Sequence, residues 1–193
     1  MIENNTKDFS KKGKKKILVV DDTLDTRTLL SSILKNAGYG VYLAKDGIEA
    51  YSKFFKLKPD IALVDILLPK MRGDVFIKWI KGTALGKETP VIVISSHTAM
   101  KEYLFQLGIE LFFEKPFKTA HVLEATKEIL EIYEEKKAVQ SRLVQLKKRF
   151  EKEKVAKETR FKVCDICNNS MPATAFRCES CGSVRIHLVE NQV

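Results

Sequence analysis

The sequence predicts an α/β protein: a five-stranded, doubly wound parallel sheet, followed by a long α-helix and a small cysteine-rich module. Three observations carry that reading. Between residues 17 and 117, short continuous apolar runs alternate with amphipathic helical stretches, the pattern of strands buried on both faces by crossover helices. From Lys118 to about Arg160 there is neither glycine nor proline, as a long helix requires. All four cysteines fall within the last 30 residues.

The elements follow in order. Residues 17–20 (Ile-Leu-Val-Val) form a buried strand ending in Asp21-Asp22. A helix comes next, with Leu29, Leu30, Ile33, Leu34 and Ala37 on one face and Gly38 as its stop. Residues 41–44 make a second strand, 47–56 a second helix closed by Pro59, and 61–64 a third strand ending at Asp65. A helix over 73–81 precedes Pro90 and the strand 91–94, which ends in Ser95-Ser96. Residues 98–107 are expected to be helical before Gly108, and 111–113 form the last strand, followed by Glu114-Lys115-Pro116-Phe117.

Composition narrows the class. Of 193 residues 45% are hydrophobic and 31% charged, too apolar for wholesale disorder. The longest apolar runs, 17–20 and 91–94, fall far short of the ~18–20 residues that span a bilayer. The first 16 residues are polar and lysine-rich with no apolar h-region. A cytoplasmic protein is expected, neither secreted nor membrane-spanning.

The net charge of +9 is unevenly placed. Residues 1–16 carry six lysines against two acids, and 17–135 carry 15 basic and 17 acidic side chains. Residues 136–162 carry eleven basic and three acidic, and 163–193 two and three. A near-neutral domain thus precedes a strongly basic segment, which suits a polyanion or is a solvated face. The expected division is a basic tail over 1–15, a main domain over 16–135, an extended helix over 118–160 and a cysteine module over 161–190.

In an open parallel sheet, ligands bind at the carboxyl ends of the strands. Here those ends carry Asp21, Asp22, Asp65, Ser95 and Lys115. Three converging carboxylates repel each other unless a cation lies among them, and a hard divalent ion such as Mg²⁺ fits. A lysine and a hydroxyl opposite can hold the oxygens of a phosphoryl group passed to a carboxylate. The composite is a phosphoryl-transfer site.

With these residues in place, the chain resembles a bacterial response-regulator receiver domain. The resemblance rests on residues 17–22, on residues 60–73 (Asp-Ile-Ala-Leu-Val-Asp-Ile-Leu-Leu-Pro-Lys-Met-Arg-Gly), on 90–95 and on 114–117. It covers about residues 15–135 and implies a flavodoxin-like sheet of order 2-1-3-4-5. It also implies that Asp65 accepts phosphoryl from a histidine kinase or a small phosphodonor, the chain being a phosphoacceptor with self-catalysed transfer rather than an enzyme. By the same resemblance Asp22, Asp65 and the Leu67 carbonyl surround Mg²⁺, with Asp21 helping through water. Ser95 and Lys115 contact the phosphoryl oxygens, and Phe112 takes the place of the switch aromatic. Arg72 departs from the family, which usually has Asp before this glycine. His97 and His121 are expected to be surface helix residues.

Stepping by three and four from Val122 reaches Ala125, Ile129, Ile132, Lys136, Val139, Leu143, Leu146, Phe150 and Glu153, eight of the ten being apolar. The apolar residues up to Ile132 are expected to pack on the sheet. Those beyond need another helix, and a parallel two-stranded coiled coil, hence a homodimer, is the simplest partner.

Cys164-x-x-Cys167, ten residues, then Cys178-x-x-Cys181-Gly182 has the spacing of two zinc knuckles. Four thiolates make a closed, structural Zn²⁺ site, in a fold resembling a zinc ribbon; His187 is a remote substitute ligand. Segments this short usually need such a staple. Two outputs for residues 136–190 remain open. One is docking of a protein partner by the ribbon, whose own charges are only Arg177 and Arg185 against three acids. The other is salt-sensitive binding of nucleic acid through Lys147, Lys148, Arg149, Lys152, Lys154 and Arg160.

Overall fold

The computed structural model describes residues 13–158, 160–172 and 175–190. The chain divides into two compact units, the first ending at Glu135 and the second starting at Lys136.

The first unit holds β1 (Lys16–Val20), α1 (Leu24–Asn36), β2 (Gly40–Ala44), α2 (Gly47–Leu57), β3 (Ile61–Val64), α3 (Gly73–Lys81), α4 (Ala84–Lys87), β4 (Val91–Ser95), α5 (Lys101–Gln106) and β5 (Leu111–Glu114), and it ends within α6 (Thr119–Glu158). The five strands are all parallel, in the order β2-β1-β3-β4-β5. This is the expected sheet, and its central strands β1, β3 and β4 are buried almost throughout because helices cover both faces. On one face Leu18, Val20, Ala62, Val64, Val91 and Val93 meet Phe54, Phe76, Ile77 and Leu104 of α2, α3 and α5. On the other, Ile17, Val19, Ile61, Leu63, Ile92 and Ile94 meet Leu30 and Leu34 of α1 and Val122, Ala125, Ile129 and Leu130 of α6.

Two glycines allow close approaches that any side chain would block. A Cβ on Gly73 would lie 2.0 Å from the Asp65 carbonyl oxygen, and one on Gly47 would lie 2.2 Å from the Met71 carbonyl oxygen. The start of α3 therefore packs directly on the backbone of Asp65.

Several expectations are corrected. Leu29 and Ala37 face outward, because the sheet takes the Leu30–Leu34 side of α1. The stretch 98–107 is a 3₁₀ turn (Thr98–Met100) followed by the short α5. The four-residue α4 had no period long enough to read. Ile132 is half exposed, while Leu130 is buried and Tyr133 packs on the core. A straight helix drifts against a strict 3.5-residue repeat, so the face on the sheet runs through 122, 125, 129, 130 and 133.

The second unit contains the rest of α6 and a three-stranded antiparallel sheet of order β7-β6-β8, with β6 (Arg160–Cys164), β7 (Ser170–Pro172) and β8 (Ile186–Glu190). Cys164, Met171 and Cys178 form its buried centre. No helix among the described residues is long and apolar enough to cross a membrane.

Candidate functional site

Strand register brings the site together. Val20 pairs with Val64, so the residues that follow, Asp21 and Asp65, emerge side by side, and Asp65 N–H donates to the Val20 carbonyl at 2.8 Å. Ser95 pairs with Glu114, which places Lys115 next in line; the Lys115–Pro116 peptide is cis.

Carboxylate oxygens of Asp21, Asp22 and Asp65 all lie within 4.8 Å of one another. Asp21 and Asp65 are buried and Asp22 is exposed. Lys115 Nζ reaches Asp21 Oδ2 at 2.7 Å and Asp65 Oδ2 at 2.5 Å. Ser95 Oγ donates to Asp65 Oδ1 at 2.6 Å, as do the N–H groups of Ile66 at 2.5 Å and Leu67 at 3.2 Å. Burial alone would lower the Lys115 ammonium's pKa, but the hydrogen bonds and charges of Asp21 and Asp65 outweigh it and hold the group above its ordinary value.

Three carboxylates against one ammonium leave a surplus of acidic groups, on oxygen donors that are buried at Asp21 and Asp65 and open to solvent at Asp22. That donor set fits a hard divalent cation. Asp21 is further fixed by its neighbours: Thr23 N–H donates to its Oδ1 at 2.8 Å and Arg27 Nη1 to its carbonyl at 2.7 Å.

Phe112 is half-buried and packs against the core on the α2, α3 and α5 side, with the Lys101 ammonium 5.7 Å from its ring centre. His97 lies ahead of the 3₁₀ turn rather than on a helix, half-buried, its N–H donating to Ser95 Oγ at 3.3 Å. His121 is exposed on α6.

The loop after β3 has two contacts that the motifs did not announce. Lys70 Nζ lies 2.6 Å from Asp46 Oδ2, and Asp46 caps α2 by accepting from Glu49 N–H at 2.8 Å. The order Asp46-Gly47-Ile48-Glu49, an acidic cap with Glu three residues on, was the available signal. Arg72 reaches Asp74 Oδ1 at 3.0 Å and Met100 Sδ at 2.9 Å.

The second cluster is the cysteines. All four Sγ atoms lie within 4.8 Å of one another, with 3.5 Å between Cys164 and Cys181 and between Cys167 and Cys178. Each C-x-x-C closes alike: Asn168 (φ +54°) returns its N–H to the Cys164 carbonyl, and Gly182 (φ +72°) returns its N–H to the Cys178 carbonyl. Backbone N–H groups of Cys167 and Ile166 pull the Cys164 thiol down to about 6. Those of Cys181, with a smaller contribution from Ser180, lower Cys178 as well. Turn amides that favour thiolate are what a metal knuckle requires. His187 stands apart from the group, its Nδ1 2.5 Å from Asp165 Oδ1.

Residues 17–127 match the family described as response regulator receiver domain. Chemotaxis protein CheY of Thermotoga maritima is 36% identical over 118 residues, 60% of this chain and 97% of that protein. The alkaline phosphatase synthesis transcriptional regulatory protein PhoP of Bacillus subtilis is 35% identical over 116 residues, 60% of this chain and 48% of that protein. The chain thus spans about half the length of that regulator. Among solved structures, the receiver domain of a sensor histidine kinase from Pseudomonas aeruginosa, with a magnesium ion coordinated in its active site cleft, superposes with a TM-score of 0.55 at 28% identity, over 63% of this chain and 98% of that one.

Proposed function

The chain belongs to the response regulator receiver domain family over residues 17–127, and on that premise we propose that Asp65 is the phosphoacceptor of a phosphorelay. Its carboxylate attacks the phosphorus of a sensor kinase's phosphohistidine or of a small acyl phosphate. A P–O bond forms to Asp65, the bond to the donor breaks, and the bonding pair leaves with the donor. The observation that supports this most directly is that Ser95 and Lys115 both converge on Asp65, where they can take up the new phosphoryl oxygens.

Asp22, Asp65 and the Leu67 carbonyl would hold Mg²⁺, with Asp21 acting through water. Bound there, the ion supplies the positive charge that shields the entering phosphoryl group from the carboxylates. Phe112 is the residue whose packing answers the movement of Ser95. The chain acts as a self-catalysing phosphoacceptor in the cytoplasm, and no further catalysis is ascribed to it.

The four cysteines hold one structural Zn²⁺, and the ribbon is the output, docking a protein partner. In support, Ile166, Phe176, Val184 and Leu188 are exposed on the ribbon, where the described basic side chains are Lys162, Arg177 and Arg185. A second reading, nucleic-acid binding, is favoured by exposed Lys147, Lys148, Arg149 and Lys152 on α6. Lys154 and Arg160, also expected there, lie outside the described side chains.

Incubating the Mg²⁺-loaded chain with acetyl phosphate is expected to add one phosphoryl group, and Asp65→Asn to abolish it; unchanged labelling of that variant overturns the assignment. A nucleic-acid shift assay across salt concentrations separates the outputs: a shift that weakens with salt but persists at physiological ionic strength favours nucleic acid, whereas retention only at low salt, which any basic helix gives, favours the protein partner.

A further inference from the structure

The face of the first unit made by α2 and α3 carries an aromatic seam that the described residues leave open. Ile48, Tyr51 and Phe55 fall on one side of α2, and Val75 and Trp79 on one side of α3, at helical spacings of three and four. Ile48 and Trp79 are each 52% exposed and Tyr51 36%. Edge-to-face ring contacts run inward from the surface. Trp79 meets Tyr51 at 5.7 Å, Tyr51 meets Phe55 at 4.9 Å, Phe55 meets Phe54 at 5.4 Å, and Phe54 meets Phe76 in the core at 6.1 Å. The exposed rings are therefore held by packed ones, so binding costs them little side-chain freedom.

A lysine flanks the seam on each outer side. Lys56 of α2 and Lys78 of α3 lie one residue's rotation, ~100°, away from Phe55 and Trp79, and both are exposed. Neither has a hydrogen-bond or ion-pair partner among the described residues. The acids on the same two helices are committed elsewhere: Glu49 holds Lys53 at 2.7 Å and Asp74 holds Arg72 at 3.0 Å. We propose that this seam docks the apolar stripe of a partner protein's amphipathic helix whose flanks are acidic, so that carboxylates meet Lys56 and Lys78 on either side.

Exposed Trp and Tyr beside packed neighbours are the residue types that anchor interfaces. From Ile48 to Phe55 the seam runs ~10 Å along α2, the span of two turns of a docked helix, which presents its own anchors at i, i+3, i+4 and i+7 along one apolar line. The lysines decide the partner's charge. Carboxylates placed against them fix register and speed encounter, while a basic helix is repelled. A second copy of this chain is a poor occupant, because the same surface brought against itself sets lysine against lysine. The docking requires neither a phosphoryl group on Asp65 nor metal in the ribbon.

Trp79 is the only tryptophan, so its fluorescence reports on this surface alone. The full unmodified chain is titrated with a capped alanine-based helical peptide bearing one leucine stripe with glutamates on both sides. A second peptide carries lysines in place of the glutamates. The acidic peptide is expected to shift Trp79 emission to the blue and to saturate, and the basic one to leave it unchanged. Reversing both charges, Lys56→Glu with Lys78→Glu, is expected to weaken the acidic peptide at least about tenfold and to admit the basic one. Neutralising them, Lys56→Gln with Lys78→Gln, is expected to remove the discrimination between the two peptides. Tyr51→Ala is expected to weaken the acidic peptide about tenfold as well. Urea melts check that each variant is folded. No emission shift with the acidic peptide, equal binding of both peptides by the wild type, or unchanged affinity in the charge-reversed variant would each overturn the proposal. A blue shift on concentrating the protein alone would overturn it in favour of a second copy. A shift given by phosphatidylserine vesicles and not by the peptide would overturn it in favour of a lipid surface.

Discussion

Ser95 Oγ hydrogen-bonds Asp65 Oδ1 at 2.6 Å, joining the ends of β4 and β3 through two buried side chains. The same oxygen takes the Ile66 and Leu67 N–H groups, while Oδ2 takes Lys115. Asp65 is thus held by four donors that are already in place when a phosphoryl group arrives. A hydrogen bond to a charged group contributes ~1.5–3 kcal/mol. Ser95→Ala is expected to lower unfolding stability in urea by ~1–2 kcal/mol, and a double-mutant cycle with Asp65→Ala to recover most of that as coupling. Additive losses would show that the bond contributes nothing.

Lys115 supplies one positive charge to a site with three carboxylates. Removing it leaves the cluster with no internal counter-charge, so an added cation gains more by binding. Lys115→Ala is expected to be less stable than the wild type in Mg²⁺-free buffer and to gain a larger rise in melting temperature from millimolar Mg²⁺. Equal Mg²⁺-induced shifts in the two proteins would mean that the carboxylates do not share a cation.

The order of chemical groups at the strand ends was legible because a parallel sheet puts every βα loop at one edge. Once residues 17–20, 61–64 and 91–94 read as strands, Asp21, Asp65 and Ser95 fell at that edge, and the order 2-1-3-4-5 that the resemblance implies made them neighbours. Lys115 needed only a fifth strand. What was not legible depends on distances that no local pattern carries. Lys70 and Asp46 lie 24 residues apart in two loops, and nothing periodic links them. Ile132 failed for a different reason: a seven-residue repeat was extended across a straight helix, where the buried face drifts onto Leu130 and Tyr133. The first cysteine turn carries no glycine to mark it, yet Asn168 takes the positive φ there that Gly182 takes in the second.

The Asp46–Lys70 pair gives a pH signature. The Lys70 ammonium, together with the Glu49 N–H, holds the Asp46 carboxyl below its ordinary range. A carboxyl lowered on folding stabilises fully above its unfolded pKa of ~3.9, and the gain is lost as pH falls through the folded value. Asp46→Asn keeps a capping oxygen and removes the charge. It is expected to cost ~0.5–1 kcal/mol near pH 7, with the Lys70 side largely exposed to solvent, and the gap to the wild type is expected to close below pH ~4. Urea melts across pH measure it; a gap that stays constant down to acid pH would assign the cost to the cap alone.

The ribbon's stability should rest on its metal. Among the described residues its buried centre is Cys164, Met171 and Cys178, with Ala175 and Ile186 packed against it, little apolar surface to offset the chain entropy of ordering some thirty residues. Four convergent thiols, two of them lowered by turn amides, can supply the remainder by binding Zn²⁺, whose association is then folding free energy. Native mass spectrometry is expected to show one zinc per chain. Chelation or Cys178→Ser is expected to abolish hydrogen-exchange protection of β6 and β8 while the amides of β1, β3 and β4 stay protected. The receiver provides the internal control, because its core contains none of these cysteines. If β6 and β8 remain protected after the metal is stripped, or if the purified chain carries iron in place of zinc, the structural zinc assignment fails.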